Sequence, residues 1–573
     1  MIAVFHKITH MVVTQSKYTL LLGGLLVLLM VGCSTHTTME EGNTSSEEDV
    51  YQIPQLEADP DAYGTKLTEY DMAAFDVLLG GAEGNNTEAQ DALRLCPSII
   101  TTLRYGQEQE WTEELLQPIH DLMAYFEANG RLPRAPYDEE ITEYATSMDA
   151  PLLGVAAQLA YERTGEEQYA TYVQELIPYI VSSTEEGGFL LKLDDEHWWP
   201  LEYGWRGVTE ETAWFVLNGS LYGTVCVKML ANATGDERLI EFVEKATNAY
   251  RTYLDYFYYP DGNWCWYSLN YKDGAPIINR PEKLYIELRA LKSLYRMTGE
   301  QLFLEHYQRR VELLAEVLPC TIIKGEGTDT AVLFRAIAPH PYEIDIYPNV
   351  LELLDSSGQV IATAEASERS VDCCALIVPL QEEAAYYRLY AQVNPVEKTL
   401  IIEAPVQYVD ASEVAATPLQ GTWQPDGDTE SITDGVMMID PNLNESLKAY
   451  AYFKADEPQP CDNNTYWVVE VENQTGYTYP MSLYFYNQDG VALSRTGLPI
   501  GPGRSLQIFS AIGFKSYPES VTSSDLFSLN FVTDGMTEKG TVRLGNVYAF
   551  SSPAALALYL QNYSFTDFWE IVE

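Results

Sequence analysis

Between Trp198 and Tyr267 the chain gathers side chains that can move protons beside side chains that can stack on flat, apolar ring faces. Glu202, Tyr203 and Tyr267 are the candidate proton carriers. Trp198, Trp199, Trp205, Trp214, Trp264 and Trp266 are the candidate stacking surfaces. A carboxyl or phenol held against aromatic planes suits a site that binds a sugar ring and does acid–base chemistry on it. Any one of these tryptophans suits an ordinary core between helices equally well. The grouping of the whole set carries the functional reading.

The elements that must position these residues are helical. From about 60 to 325 apolar residues recur at three- and four-residue spacing. A weak repeat punctuates the pattern: Thr164-Gly165-Glu166, Thr234-Gly235-Asp236 and Thr298-Gly299-Glu300. Glycine ends one helix and the acid suits the start of the next. Repeated hairpins of this length predict an α/α toroid, an incomplete (α/α)6-like barrel whose mouth is lined by the tryptophan-rich loops. Beyond Cys320 the period changes to two, predicting a small β-sandwich at 326–411 and a jelly-roll, galactose-binding-like unit at 412–573 with a short C-terminal tail. The fold class expected is therefore multidomain, α followed by all-β.

The first 33 residues read as an address. Lys7 and Lys17 precede the apolar run Leu20 to Val31, which is too short for a typical span and ends in small residues. Cys33 after Gly32 resembles a bacterial lipoprotein box, which implies lipidation of Cys33 and a lipid-membrane anchor outside the cytoplasm. Residues 34–59 are polar and acidic, the composition of a solvated tether. A net charge of −50 excludes nucleic acid as an expected partner. The eight cysteines form no C-x-x-C pair, and with four histidines beyond residue 36 no metal site is expected.

About residues 140–315 resemble the C-terminal catalytic domain of D-glucuronyl C5-epimerases. Leu201-Glu202-Tyr203 stands at that family's Glu-Glu-Tyr motif, and Val216-Leu217-Asn218-Gly219 matches its V-L-N-G. Tyr267 stands at the Tyr of its Tyr-Asp-Leu-Arg motif, with Asn270 in place of the arginine. The Tyr-His-x-x-His helix aligns in two ways, placing either Tyr285 or Lys283 at its tyrosine, the second with Glu287 at its last histidine. The resemblance implies inversion at C5 of uronic acid residues in a polysaccharide, with no cofactor. Tyr267 and Tyr203 would be the acid–base residues, Glu202 would assist, and Lys283 or Tyr285 would serve the opposite face of the ring. Arg280 or Arg206 would replace the missing arginine, and Asn218, Trp199, Trp264 and Trp266 would bind substrate. Lys272, Arg280, Lys283, Arg289, Lys292 and Arg296 form a local basic excess that could hold a carboxylate.

Two other classes fit the same residues. A polysaccharide lyase would begin with the same proton abstraction, and a glycoside hydrolase would pair Glu202 with Glu210 or Glu211. A surface glycan-binding protein that has lost catalysis would also keep the aromatic residues and the β modules.

Overall fold

The computed structural model describes residues 51–573 except 79–90, 135, 137–140, 261, 263, 271–275, 280, 326–327, 335–348, 366–374, 393–397, 411–416, 419, 426–429, 434–435, 440–448, 461–465, 475–478, 487–491, 501, 511–514, 517–524, 534–540, 551 and 563–573. The expected leader, Cys33, Lys272 and Arg280 lie outside the described residues.

Four helical hairpins build the first part: α1 (Ala92–Tyr105) with α2 (Glu113–Asn129), α3 (Asp149–Thr164) with α4 (Glu167–Ile180), α5 (Leu217–Thr234) with α6 (Glu237–Tyr253), and α7 (Pro281–Thr298) with α8 (Gln301–Val317). Helices α1, α3, α5 and α7 pack side by side in that order, and each hairpin partner covers its neighbour. Burial follows from position. Helices α3 and α5 are buried almost all round. Helix α4 buries the single stripe Tyr169, Tyr172, Val173, Leu176, Ile177 and Ile180, the spacing of an amphipathic outer helix.

Three hairpin corners share one construction. Gly165, Gly235 and Gly299 adopt positive φ of 73°, 67° and 73°, which closes the preceding helix. The threonine before each glycine donates its hydroxyl to the carbonyl four residues back: Thr164 to Ala160, Thr234 to Leu230, Thr298 to Leu294. The same hydroxyl accepts from the amide two residues on, at 3.2 Å in all three corners. The repeat seen in the sequence is thus a repeated turn.

Two small hairpins cross the ends of the helices: β1 (Leu190–Lys192) with β2 (Trp198–Pro200), and β3 (Trp266–Ser268) with β4 (Ile277–Ile278). Backbone bridges Ala145 to Gly204 and Val216 to Ser268 stitch three connecting segments together. Ser147 N donates to Leu201 O at 2.9 Å and Leu269 N to Phe215 O at 3.2 Å. These stitches place 201–204 and 266–268 over the start of α5.

A β-sandwich follows. One antiparallel sheet orders Lys398–Pro405, Tyr386–Gln392, Val350–Leu354 and Val360–Glu365; the other orders Gln407–Asp410, Cys320–Lys324, Asp329–Phe334 and Ala375–Leu380. The strand Cys320–Lys324 belongs to this sandwich although it precedes the expected boundary at 326, because its Thr-Ile-Ile run pairs on both sides. A second pair of sheets, six strands each, spans Thr417–Phe550. The helix Pro553–Asn562 then returns to the first sandwich, burying Leu556 and Leu560. The architecture is helices followed by several sheets, multidomain α plus β. Part of the expected tether is ordered: Tyr51 hydrogen-bonds Glu403 and Arg388 of the first sandwich, because an aromatic ring among polar residues has apolar surface to bury.

Candidate active site

Glu202 is the centre of the site. The Leu201–Gly204 stretch, pinned by Ser147 and Ala145, lays its side chain across the first turn of α5. Contact is direct because residue 219 is glycine: a Cβ there would lie 2.4 Å from Glu202 Oε2 and 2.8 Å from its Cγ. The free amides of a helix N-terminus favour a negative charge at that position. Glu202 is buried, and burial is the dominant influence, pushing its carboxyl above the usual range. Hydrogen bonding from Tyr203 and Tyr267 and the charges of Lys283 and Arg134 pull the other way. Tyr267 donates to Glu202 Oε1 at 3.5 Å. Glu202 Oε2 and Asn218 Oδ1, both buried, have no hydrogen-bond partner among the described residues. Buried polar atoms are rarely left so, and donors on a bound ligand would satisfy them.

Tyr203 sits between Tyr144 and Trp214, with ring centroids at 5.3 and 5.4 Å. Burial, then the charges of Glu202 and Tyr267, raise its phenol far above its ordinary value. It is a proton donor at neutral pH. Three of the expected proton carriers, Glu202, Tyr203 and Tyr267, therefore meet in one place, and the charge of Lys283 acts on Glu202.

Other expectations fail here. Tyr285 is buried at 2% exposure in the apolar cluster that joins α7 to the first sandwich, with Leu284, Leu288 and Leu313. Trp199 is fully buried against Phe215, Tyr250 and Phe257, so it is core and no stacking surface. Trp264 is also core, its indole N–H donating to Asn279 O at 2.8 Å. Trp266 is half-buried under Tyr259, ring centroids 4.1 Å apart. The basic excess on α7 is largely consumed: Arg289 and Lys292 hold Asp76 at 2.7 and 3.3 Å, and Arg296 holds Asp71 at 2.8 Å. Glu287 is paired with Arg310 at 3.0 Å and accepts from Asn279 at 2.8 Å. The carboxylate pair of a hydrolase is not formed either: Glu210 accepts from Tyr253 at 3.0 Å and Glu211 is exposed. Arg206 lines a neighbouring cavity that neither Glu202 nor Tyr267 lines.

The residues missed from sequence are Arg134, Tyr144 and Asp149. Arg134 grips Asp149 with two bonds of 2.7 and 2.8 Å, and its charge reaches both Tyr144 and Glu202. A signal existed: Asp149 opens a helix that is otherwise apolar for ten residues except for a single glutamine, and a buried carboxylate requires a cation. Among the described residues no group of three or more His, Cys, Asp or Glu side chains could hold a metal ion.

Residues 144–312 match the family described as D-glucuronyl C5-epimerase C-terminus. That is the segment in which the resemblance was expected, and it contains Glu202, Tyr203, Asn218, Tyr267 and Lys283. The chain is also 29% identical over 157 residues to "Uncharacterized protein MJ1128" of Methanocaldococcus jannaschii, covering 26% of this chain and 46% of that protein, so it spans less than half of that relative's length. Among solved structures, the GH76A alpha-1,6-mannanase from Salegentibacter sp. HEL1_6 aligns at 17% identity and a TM-score of 0.28, over 42% of this chain and 69% of the mannanase. The family 11 carbohydrate-binding module of the Clostridium thermocellum cellulase Lic26A-Cel5E aligns at 9% identity and a TM-score of 0.19, over 24% of this chain and 96% of the module. Scores this low establish neither a shared fold nor a shared ligand.

Proposed function

We propose that this protein is a carbohydrate epimerase that inverts C5 of uronic acid residues in a polysaccharide. The observation that carries this reading is the meeting of Tyr203 and Tyr267 on one buried carboxyl, Glu202, inside the segment that matches the epimerase family. The reaction removes a proton α to a carboxylate and returns one to the other face, so it needs two acid–base groups and a cation near the carboxylate. Tyr267 takes the C5 proton as its own phenolic proton passes to Glu202, whose raised affinity for protons suits it to accept. Tyr203, held protonated by burial, donates its one O–H hydrogen bond to Glu202 and steadies the carboxyl that receives the proton. With Tyr285 in the core, Lys283 is the group left to serve the opposite face. The supply of positive charge comes from Lys283 and Arg134 rather than from the paired basic residues of α7. We further propose that the protein is exported and lipid-anchored through Cys33, which a Cys33→Ala change would release from membranes.

The test is solvent exchange. The protein is incubated in heavy water with uronic acid glycans and C5 is read by NMR. Deuterium at C5 of intact chains, with some residues inverted, is the expected result, and Tyr267→Phe should lower it by roughly 10²–10⁴-fold. Chain cleavage with a new ultraviolet-absorbing double bond would replace the epimerase by a lyase. Binding without exchange would leave a glycan-binding protein.

A further inference from the structure

A cavity of about 950 Å³ adjoins the acid–base group without being part of it. Neither Glu202 nor Tyr267 lines it. Tyr144 and Trp214 do, and both rings also touch Tyr203, so one aromatic wall separates the cavity from the reacting group. Trp205 extends the wall, 5.4 Å from Trp214. The volume lies at the top of the range for pockets that take a ligand larger than one sugar, roughly 300–1,000 Å³.

The charges around this cavity are unevenly committed. Glu143 is bound to Arg131 at 2.8 Å. Glu186 accepts from the backbone and hydroxyl of Ser183, both at 2.8 Å, and these bonds lower its carboxyl pKa. Arg206 is exposed and makes no ion pair with any described residue. Its guanidinium lies beside Gly187, 3.6 Å from where a Cβ would stand. In a chain of net charge −50, a guanidinium with no ion pair among the described residues, beside three aromatic rings, is suited to an anionic sugar.

We infer that this cavity is a second subsite, in which Arg206 binds the carboxylate of a neighbouring sugar while the reacting residue lies at Glu202. The inference rests on the function proposed above and adds that Arg206 reads the charge of a second residue of the polymer. The half-buried rings of Tyr144 and Trp205 stack on that neighbouring sugar, and the buried Trp214 backs them. Because Arg206 is exposed and makes no ion pair with another described residue, its loss should leave the protein folded.

The experiment uses the full chain and its Arg206→Ala variant, with β-linked glucuronate di-, tetra- and hexasaccharides and a carboxyl-reduced hexasaccharide. Calorimetry measures binding and NMR measures C5 exchange. Wild-type affinity should rise with length. Arg206→Ala should weaken the hexasaccharide about tenfold, the loss of one charge-assisted hydrogen bond, and leave the disaccharide unchanged. The carboxyl-reduced hexasaccharide should bind both proteins alike, and the two should unfold at the same temperature. Equal loss at every length, no loss at any length, or no binding by the wild type overturns the subsite. Length- and charge-dependent binding without C5 exchange sustains the subsite and sinks the epimerase reading. Exchange without a length-dependent effect of Arg206 does the reverse.

Discussion

Gly219→Ala tests the placement of Glu202 through a single methyl group. A Cβ at residue 219 would stand 2.4 Å from Glu202 Oε2, 2.8 Å from Cγ and 2.9 Å from Cβ. Carbon atoms pack at roughly 3.5–4.0 Å, so Glu202 must retreat by about 1 Å. Turning the carboxyl does not help, because two of the three contacts are at the root of the side chain. Overpacking of this kind costs about 1–3 kcal/mol. Alanine in a helix returns up to about 1 kcal/mol relative to glycine. The net loss of stability is therefore small, roughly 0–2 kcal/mol. The effect on turnover is not small, since a 1 Å misplacement of a reacting group costs about 10²-fold. C5 exchange followed by NMR should fall by that factor while thermal unfolding shifts by only a few degrees. The Glu202→Ala, Gly219→Ala double variant removes the colliding Oε2 and Cγ but keeps the 2.9 Å contact at Cβ, and should recover part of the stability that Gly219→Ala alone loses. A folded Gly219→Ala protein that exchanges C5 at the wild-type rate would refute the argument, because Glu202 could then move by an ångström without consequence.

Three further perturbations probe the surroundings. Glu202→Gln should abolish exchange yet leave the protein as stable as wild type or more so near neutral pH. Burial raises the folded carboxyl pKa above its unfolded value, so wild-type stability falls as pH rises through the folded pKa, and the variant lacks that slope; an identical pH dependence of unfolding in the two proteins would contradict this. His306 accepts or donates one hydrogen bond with Tyr258 at 3.0 Å and is pushed down to about 3 by burial, then by Arg310 and Arg309. Its folded pKa is depressed, so stability is lost as pH falls below 6.5, by about 1.4 kcal/mol one unit lower; His306→Gln should lack that increment in denaturant titrations at the two pH values. Arg310→Met strands the buried Glu287 and should cost about 3–5 kcal/mol in the unfolding midpoint, most of it recovered by Glu287→Leu in the same chain; no recovery would mean the pair is not what is being broken.

What could be seen from the sequence is local, and what could not is long-range. The hairpin corners are legible because a threonine, a glycine and an acid act within six residues. Glu202, Tyr203 and Tyr267 are legible because the chemistry names their types, though only the bridges at Gly204 and Ser268 bring them together. Helix geometry separates Lys283 from Tyr285. Positions two apart on a helix point to opposite sides. The charge of Lys283 reaches Glu202, so Tyr285 must face away, and it does so into the sandwich. Trp198 and Trp199 divide in the same manner along a strand, where successive side chains alternate. Both are buried, but Trp198 lies at the edge of the core between Lys192 and Lys245, 4.7 Å from each, and Trp199 lies fully inside it.

The basic excess on α7 misleads for the opposite reason. Its partners, Asp71 and Asp76, lie more than two hundred residues earlier, and the nearby Glu287 is paired elsewhere, with Arg310, so the local sequence does not show which cations are consumed. Arg134 and Asp149 are likewise invisible as a pair until Asp149, at the start of buried helix α3, requires a cation. Under the proposed function, the positive charge for an acidic sugar is assembled from separate segments, Arg134 before α3, Arg206 after β2 and Lys283 on α7. The stitched segments bring the charges of Arg134 and Lys283 to the Glu202 carboxyl, while Arg206 lines the adjoining cavity without an ion pair to another described residue.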